Sequence, residues 1–228
     1  MIRLALILSL LTAPAFGGTF YPLDARYVDG ISADGSVAVA YRTAESSGEA
    51  GTLLWTRQRT TQIASFQASD ISADGSTVVG GDTAWTVDGV RSYSSPLVGV
   101  SGDGSKVVSR DGTLFTATGQ TELGFTATDI SADGNWVVGE KDGLPYLWNG
   151  AGKFLGDQPV TEGLTFDAYV SADGSIVHIT DYRHDNAVRW QEETGVVAAP
   201  YFGRFRGVSS NGLFAVGEGR VIDDQGET

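Results

Sequence analysis

Five in-phase copies of a Ser-x-Asp-Gly turn and a weaker sixth with Asn for Asp, nearly all followed by a short strand that is apolar on both faces, predict an all-β chain. The fold class that fits both observations is a β-propeller, most simply six four-stranded blades in a closed ring. Composition points the same way. Glycine accounts for 31 of 228 residues and proline for 6, and the glycine share is about twice the usual ~7%. Such a chain suits many tight turns, because glycine reaches positive φ at no steric cost, and it does not suit a helical bundle.

The repeat is read first. Ile31-Ser32-Ala33-Asp34-Gly35 returns as Ile71-Ser72-Ala73-Asp74-Gly75, Val100-Ser101-Gly102-Asp103-Gly104, Ile130-Ser131-Ala132-Asp133-Gly134 and Val170-Ser171-Ala172-Asp173-Gly174. Val208-Ser209-Ser210-Asn211-Gly212 is a weaker sixth copy, and successive serines lie 40, 29, 30, 40 and 38 residues apart. Asp-Gly between apolar runs is hairpin chemistry, with serine and aspartate side chains bonding backbone amides inside the turn. These aspartates therefore read as structural rather than as calcium or substrate ligands.

Past each glycine and two intervening residues come Ala38-Val39, Val78-Val79, Val107-Val108, Val137-Val138, Val177-His178 and Ala215-Val216. Neighbouring strand residues point to opposite faces, so a strand apolar at both positions must be covered on both sides. A third strand then ends near an aromatic, as in Leu53-Leu54-Trp55, Thr83-Ala84-Trp85, Leu114-Phe115, Tyr146-Leu147-Trp148 and Val188-Arg189-Trp190. Short fourth strands follow, such as Gln120-Thr121-Glu122-Leu123-Gly124 and Lys153-Phe154-Leu155-Gly156. The tryptophans read as packing between blades. The sixth unit runs out after Arg220-Val221-Ile222, and Thr19-Phe20-Tyr21-Pro22-Leu23 supplies a spare strand ahead of the first unit. Pairing the two would close the ring and remove its open edge.

Residues 127–156 carry the pattern Ala-x-Asp-Ile-Ser-Ala-Asp-Gly-x-x-Val-Val-Gly, then Leu-Trp, then Gly-x-x-Leu-Gly, which the preceding unit has as Gly-x-x-x-Leu-Gly at 119–124. This resembles the bacterial extracellular repeats of the HAF family, and weaker copies cover most of the chain. The turns are also similar to those of WD-repeat and Tol-type propellers, although Gly-His and Trp-Asp pairs are missing. The resemblance implies a secreted, propeller-like repeat protein and no particular activity.

At the amino end, Arg3 precedes an apolar run from Leu4 to Leu11 and then small residues, the three-part pattern of a secretory leader. Residues 1–17 are expected to be the leader, with cleavage after Ala15 or Gly17, and residues 18–228 a single secreted or periplasmic domain. The run is too short for a membrane-spanning helix, which needs about 20 residues. Fifteen Lys and Arg against 28 Asp and Glu leave a net charge of −13, a field that repels phosphate backbones and argues against nucleic acid. With no cysteine, disulfides, thiolate metal sites and thiol nucleophiles are excluded.

Strand parity sorts the connections. The Ser-x-Asp-Gly turns and the third-to-fourth-strand turns share one face of the ring, called here the turn face. The second-to-third and fourth-to-first connections share the other, the loop face, and these vary in length and chemistry. Variable loops on a rigid scaffold are where binding commonly resides. The candidate ligand-binding residues there are Arg42, Arg110, Tyr182, Arg183, His184, Tyr201, Phe202 and Arg204. His178 stands where most copies have valine and reads as a hydrogen-bonded core histidine. No nucleophile elbow, phosphate loop or zinc motif is present, and no catalytic residue, metal or cofactor is assigned. The expected function is a monomeric, non-catalytic module that binds a protein or glycan. The alternatives are a small propeller hydrolase or lyase acting on a carbohydrate or similar ligand at the ring centre, and a scaffold or surface-layer component without a discrete ligand.

Overall fold

The computed structural model describes residues 25, 27–44, 49–155, 166–181, 186–202, 205–209, 211–213, 215–217 and 220–222. Its first sheet holds β1 (Tyr27–Ile31), β2 (Val37–Arg42), β3 (Gly51–Thr56) and β4 (Thr60–Ala64). The second holds β5 (Asp70–Ile71), β6 (Thr77–Gly80), β7 (Thr83–Thr86) and β8 (Gly89–Ser92); the third holds β9 (Leu97–Val100), β10 (Val107–Ser109), β11 (Thr113–Thr116) and β12 (Gly119–Glu122). The fourth contains β13 (Thr126–Ile130), β14 (Val137–Lys141), β15 (Leu144–Trp148) and β16 (Gly152–Phe154); the fifth contains β17 (Phe166–Val170), β18 (Ile176–Asp181), β19 (Asn186–Gln191) and β20 (Gly195–Phe202). The sixth has β21 (Phe205–Val208), β22 (Ala215–Gly217) and β23 (Arg220–Ile222). Strands follow chain order within every sheet, and all pairings are antiparallel.

Five sheets thus have the four strands expected, while the sixth has three among the described residues. The expectation of a closed ring is corrected to this extent: among the described residues the ring is not closed. Tyr27, Val28 and Ile31 of the innermost strand of the first sheet are 48%, 66% and 61% exposed. The proposed closing strand, residues 19–23, lies outside the described residues, as do residues 1–17.

The paired valines show why the sheets stack. Val78 joins Val39, Ala68 and Ile71 in the apolar layer between the first and second sheets. Its neighbour Val79 joins Leu97, Val100 and Val107 in the next layer. Val107 and Val108 divide between layers in the same way, as do Val137 and Val138. Val78, Val79, Val108, Val137 and Val138 are all fully buried, and burying a side chain of this size contributes about 1.5–3 kcal/mol. His178 is 6% exposed, with Nε2 3.1 Å from the Gly212 carbonyl oxygen, so it is the hydrogen-bonded core residue anticipated.

Each Ser-x-Asp-Gly turn is closed by the same network. The serine Oγ donates to the aspartate Oδ1 at 2.5–2.8 Å in the first five copies. The same oxygen accepts a backbone N–H two residues on at 2.9–3.0 Å. Serine Oγ in turn accepts the N–H five residues on. In the sixth copy Asn211 replaces the aspartate and keeps the first two bonds.

The turn glycines have a second role. Gly75, Gly104, Gly134, Gly174 and Gly212 all have φ between 68° and 73°. Each also seats a side chain from the preceding sheet: Val37, Thr77, Lys106, Trp136 and Ile176 respectively. The residue just ahead of the paired apolar positions is therefore a peg under the next turn. Thr77 is the smallest polar peg, and beside it a groove of about 370 Å3 opens between the second and third sheets, lined by Tyr93, Val107 and Phe115 among others.

Candidate functional site

The first strands of all six sheets line a cavity of about 320 Å3, bounded towards the turn face by Ala33, Ala73, Gly102, Ala132 and Ala172. Neighbouring turns are joined there by backbone bonds, from Ala33 N–H to the Ala73 carbonyl at 2.8 Å and from Gly102 N–H to the Ala132 carbonyl at 2.8 Å. Small residues at this position let the turns approach, since a Cβ on Gly102 would crowd Ala73 and Ala132. This cavity lies on the ring axis and reaches the turn face, not the loop face on which binding residues were sought.

Three aspartates line it: Asp29, Asp70 and Asp129. Asp70 Oδ1 accepts the Ile71 N–H at 2.7 Å, and Oδ2 accepts the Val100 N–H of the third sheet at 2.9 Å. Asp129 repeats the arrangement one pair of sheets later, accepting the Ile130 N–H at 2.8 Å and the Val170 N–H of the fifth sheet at 2.9 Å. Asp29 Oδ1 accepts from Gln67 Nε2 at 2.8 Å, while its Oδ2 is buried without a hydrogen bond. Burial pushes the Asp70 carboxyl up to about 6 against the pull of its two amide bonds. Asp129 is raised well above the ordinary value by burial and then by the charge of Asp70, and Asp29 is raised by burial. On the turn face the order reverses. The Ser36 N–H holds Asp34 down at about 2, and the Ser105 N–H does the same for Asp103.

The three axial aspartates were missed in the sequence. Their trace was there, as an Asp one or two residues before the aliphatic residue of the first, second and fourth units. It was obscured because the third, fifth and sixth units carry Gly99, Tyr169 and Gly207 there. Gly99 has a physical reason, since a Cβ would meet Ile130 and approach Asp129.

On the loop face, Arg42 ends β2, its Nε donating to the Glu49 carbonyl at 3.1 Å and its Nη2 to Gln62 Oε1 at 2.6 Å. Arg110 begins the turn between β10 and β11 with its side chain exposed. Its backbone is fixed from both neighbours, through Pro96 at 2.7 Å and Ala127 at 3.0 Å. Tyr201 and Phe202 end β20, and Tyr182, Arg183, His184 and Arg204 lie outside the described residues. Neither Arg42 nor Arg110 lines the axial cavity. The loop variability is also narrower than expected. Between the second and third strands the chain needs only residues 81–82, 110–112 and 142–143 in the second to fourth sheets, against 43–50 in the first. By chain position, all candidates except Arg110 belong to the first, fifth and sixth sheets and their connections.

Among the described residues no group of three His, Cys, Asp or Glu side chains could hold a metal ion, and no helix is long and apolar enough to cross a membrane. No family model matches the chain, and no curated protein sequence matches it. Among solved structures it is similar to a Streptogramin B lyase, with a TM-score of 0.59 at 12% identity over 91% of this chain and 83% of that one. The β-propeller domain of the Trilobed protease from Pyrococcus furiosus, which has an open velcro topology, gives 0.57 at 12% identity over 85% and 77%. The Myceliophteria thermophila Cps50 (Swd1) β-propeller domain gives 0.50 at 10% identity over 88% and 96%. At such identities the likeness is one of fold, and the fold of this chain is that of a β-propeller.

Proposed function

We propose that this is an exported, non-catalytic propeller that binds a protein or glycan partner through its loop face, at the sector built by the first, fifth and sixth sheets. The observation that carries this reading is how the carboxylates are used. The turn-face aspartates are bonded within their own turns, and Asp70 and Asp129 are bonded to amides that join one sheet to the next. A general base or nucleophile presents a carboxyl oxygen to substrate, whereas these carboxylates hold the scaffold together, and of the three axial aspartates only Asp29 keeps a buried oxygen without a hydrogen bond. The loop face keeps exposed charge, with Arg110 and Asp82 open to solvent. A lyase and a protease's propeller domain both share the fold, so the fold does not choose between binding and catalysis. The carbohydrate lyase or hydrolase reading would need a free acid–base pair in the axial cavity. We further propose that residues 19–23 add the fourth strand to β23, completing a six-bladed ring in an HAF-like exported protein.

Residues 18–228 can be tested on a glycan array and in pull-downs from a cell-envelope extract. Alanine at Arg42, Tyr182, Arg183, Tyr201 and Phe202 together is expected to abolish capture while leaving the unfolding midpoint within a few degrees, because surface changes rarely exceed about 0.5 kcal/mol each. Capture that survives those five changes but is lost on Asp74→Ala would move the site to the turn face.

A further inference from the structure

The axial aspartates have a use beyond holding sheets together. Asp70 and Asp129 reach the same cavity from the second and fourth sheets, and each clamps the amide of the next sheet's innermost strand, Val100 or Val170. Asp29 adds a third carboxyl from the first sheet, with one oxygen buried and unbonded. From the fifth sheet the titratable group facing them is Tyr169; the third sheet presents Val98, Val100 and Gly102, and the sixth presents Val208. No lysine, arginine or histidine among the described residues lines the cavity. Three carboxyls therefore line one cavity, Asp70 near enough to Asp129 to raise it by charge, and no cation among the described residues lines the cavity with them.

We propose that the ring axis is a proton-dependent clamp, in which protonated Asp70 and Asp129 hold the second sheet to the third and the fourth to the fifth, and their ionisation loosens both junctions. A neutral carboxyl keeps a carbonyl oxygen for one amide and carries no charge to repel its neighbour. An ionised pair in a shared low-dielectric cavity repels and loses hydration. The two groups interact, so the cavity titrates as a coupled unit.

The sign follows from linkage. Burial raises both carboxyls in the folded chain, so the native state holds protons that the unfolded chain has released above pH ~4. The stabilisation is greatest in acid and is lost as pH rises through about 6 for Asp70 and through the likewise raised range of Asp129. The clamp thus opens towards neutral and alkaline pH, opposite to ordinary acid denaturation.

The test uses residues 18–228, unmodified and as Asp70→Asn, Asp129→Asn and the double variant. Asparagine mimics the neutral acid in size and retains one acceptor oxygen. Between pH 5 and pH 8 the midpoint of the unmodified protein is expected to fall by about 5–10 °C. The double variant should show less than half that slope. Amide exchange at Val100 and Val170, corrected for intrinsic rate, should quicken over the same range, while Ser36 and Ser105, whose turn aspartates stay ionised, should not respond. Carboxyl-carbon NMR of the unmodified protein provides a readout independent of whether the variants fold, with Asp70 titrating near pH 6 and Asp129 displaced upward from the ordinary aspartate range. All aspartates titrating below pH 5, or an equal pH slope in the double variant, would overturn the proposal.

Discussion

Replacing Gly174 by alanine should cost far more than replacing Gly195, although both adopt the same backbone conformation. Gly174 has φ +73° and Gly195 φ +69°, and an L-residue held in that region costs about 1–2 kcal/mol. There the resemblance ends. A Cβ on Gly195 meets nothing within 4 Å, whereas on Gly174 it would fall inside the indole of Trp136. That indole packs on the apolar layer between the fourth and fifth sheets, and the Lys153 ammonium lies 4.5 Å from the Trp190 ring and 6.0 Å from that of Trp136. Displacing the peg is overpacking, which costs about 1–3 kcal/mol beyond the backbone term. The expected losses are therefore about 2–5 kcal/mol for Gly174→Ala and about 1–2 for Gly195→Ala, with each kcal/mol worth about 2–4 °C in a domain this size. Urea unfolding at neutral pH measures both. Adding Trp136→Ala to Gly174→Ala should recover part of the loss, since the clash disappears with the ring. Equal costs at the two glycines, or strictly additive effects in the double variant, would refute the peg.

Four further outcomes follow from the sequence and the structure. Ser131→Ala removes the acceptor of the Trp136 N–H at a site fully shielded from water, so chemical denaturation should show a loss of about 1–3 kcal/mol. Asp133→Ala, at the exposed end of the same network, should lose about 1 kcal/mol. Deleting residues 18–24 should destabilise the whole domain by several kcal/mol if that segment closes the ring, because β23 and the first sheet would keep unpaired backbone and apolar surface; an unchanged midpoint would favour an open arrangement. Intact mass of the protein recovered from its host should start at Phe16 or Gly18, and an intact Met1 would remove the export reading.

What could be read in the sequence was local or periodic. The six turns, the double-faced second strands and the aromatic third strands all repeat within one unit of chain, so Ser131, Asp133 and Val137-Val138 could be assigned roles by comparison with their copies. Contacts between units left weaker traces. Asp70 is recognisable as a clamp only when the Val100 amide, 30 residues away, is brought against it. The turn glycines looked like backbone devices, and their role as seats for Trp136 or Ile176 depends on the next sheet's position. Loop variability was overestimated in the middle sheets, where two- and three-residue turns leave little beyond Arg110 to vary. His178, by contrast, was legible, because a histidine replacing a valine on a doubly covered strand must be buried and must find an acceptor, here Gly212.

The central claim is that the loop face of the first, fifth and sixth sheets, and not the turn face, meets the partner. Hydrogen–deuterium exchange of residues 18–228 with and without the captured protein or glycan tests it directly. The account predicts new protection around residues 42–50, 182–185 and 201–204, with the amides of the Ser-x-Asp-Gly turns at 34–36, 74–76 and 133–135 unchanged. Protection confined to those turns, or to the alanines that bound the axial cavity, would contradict it.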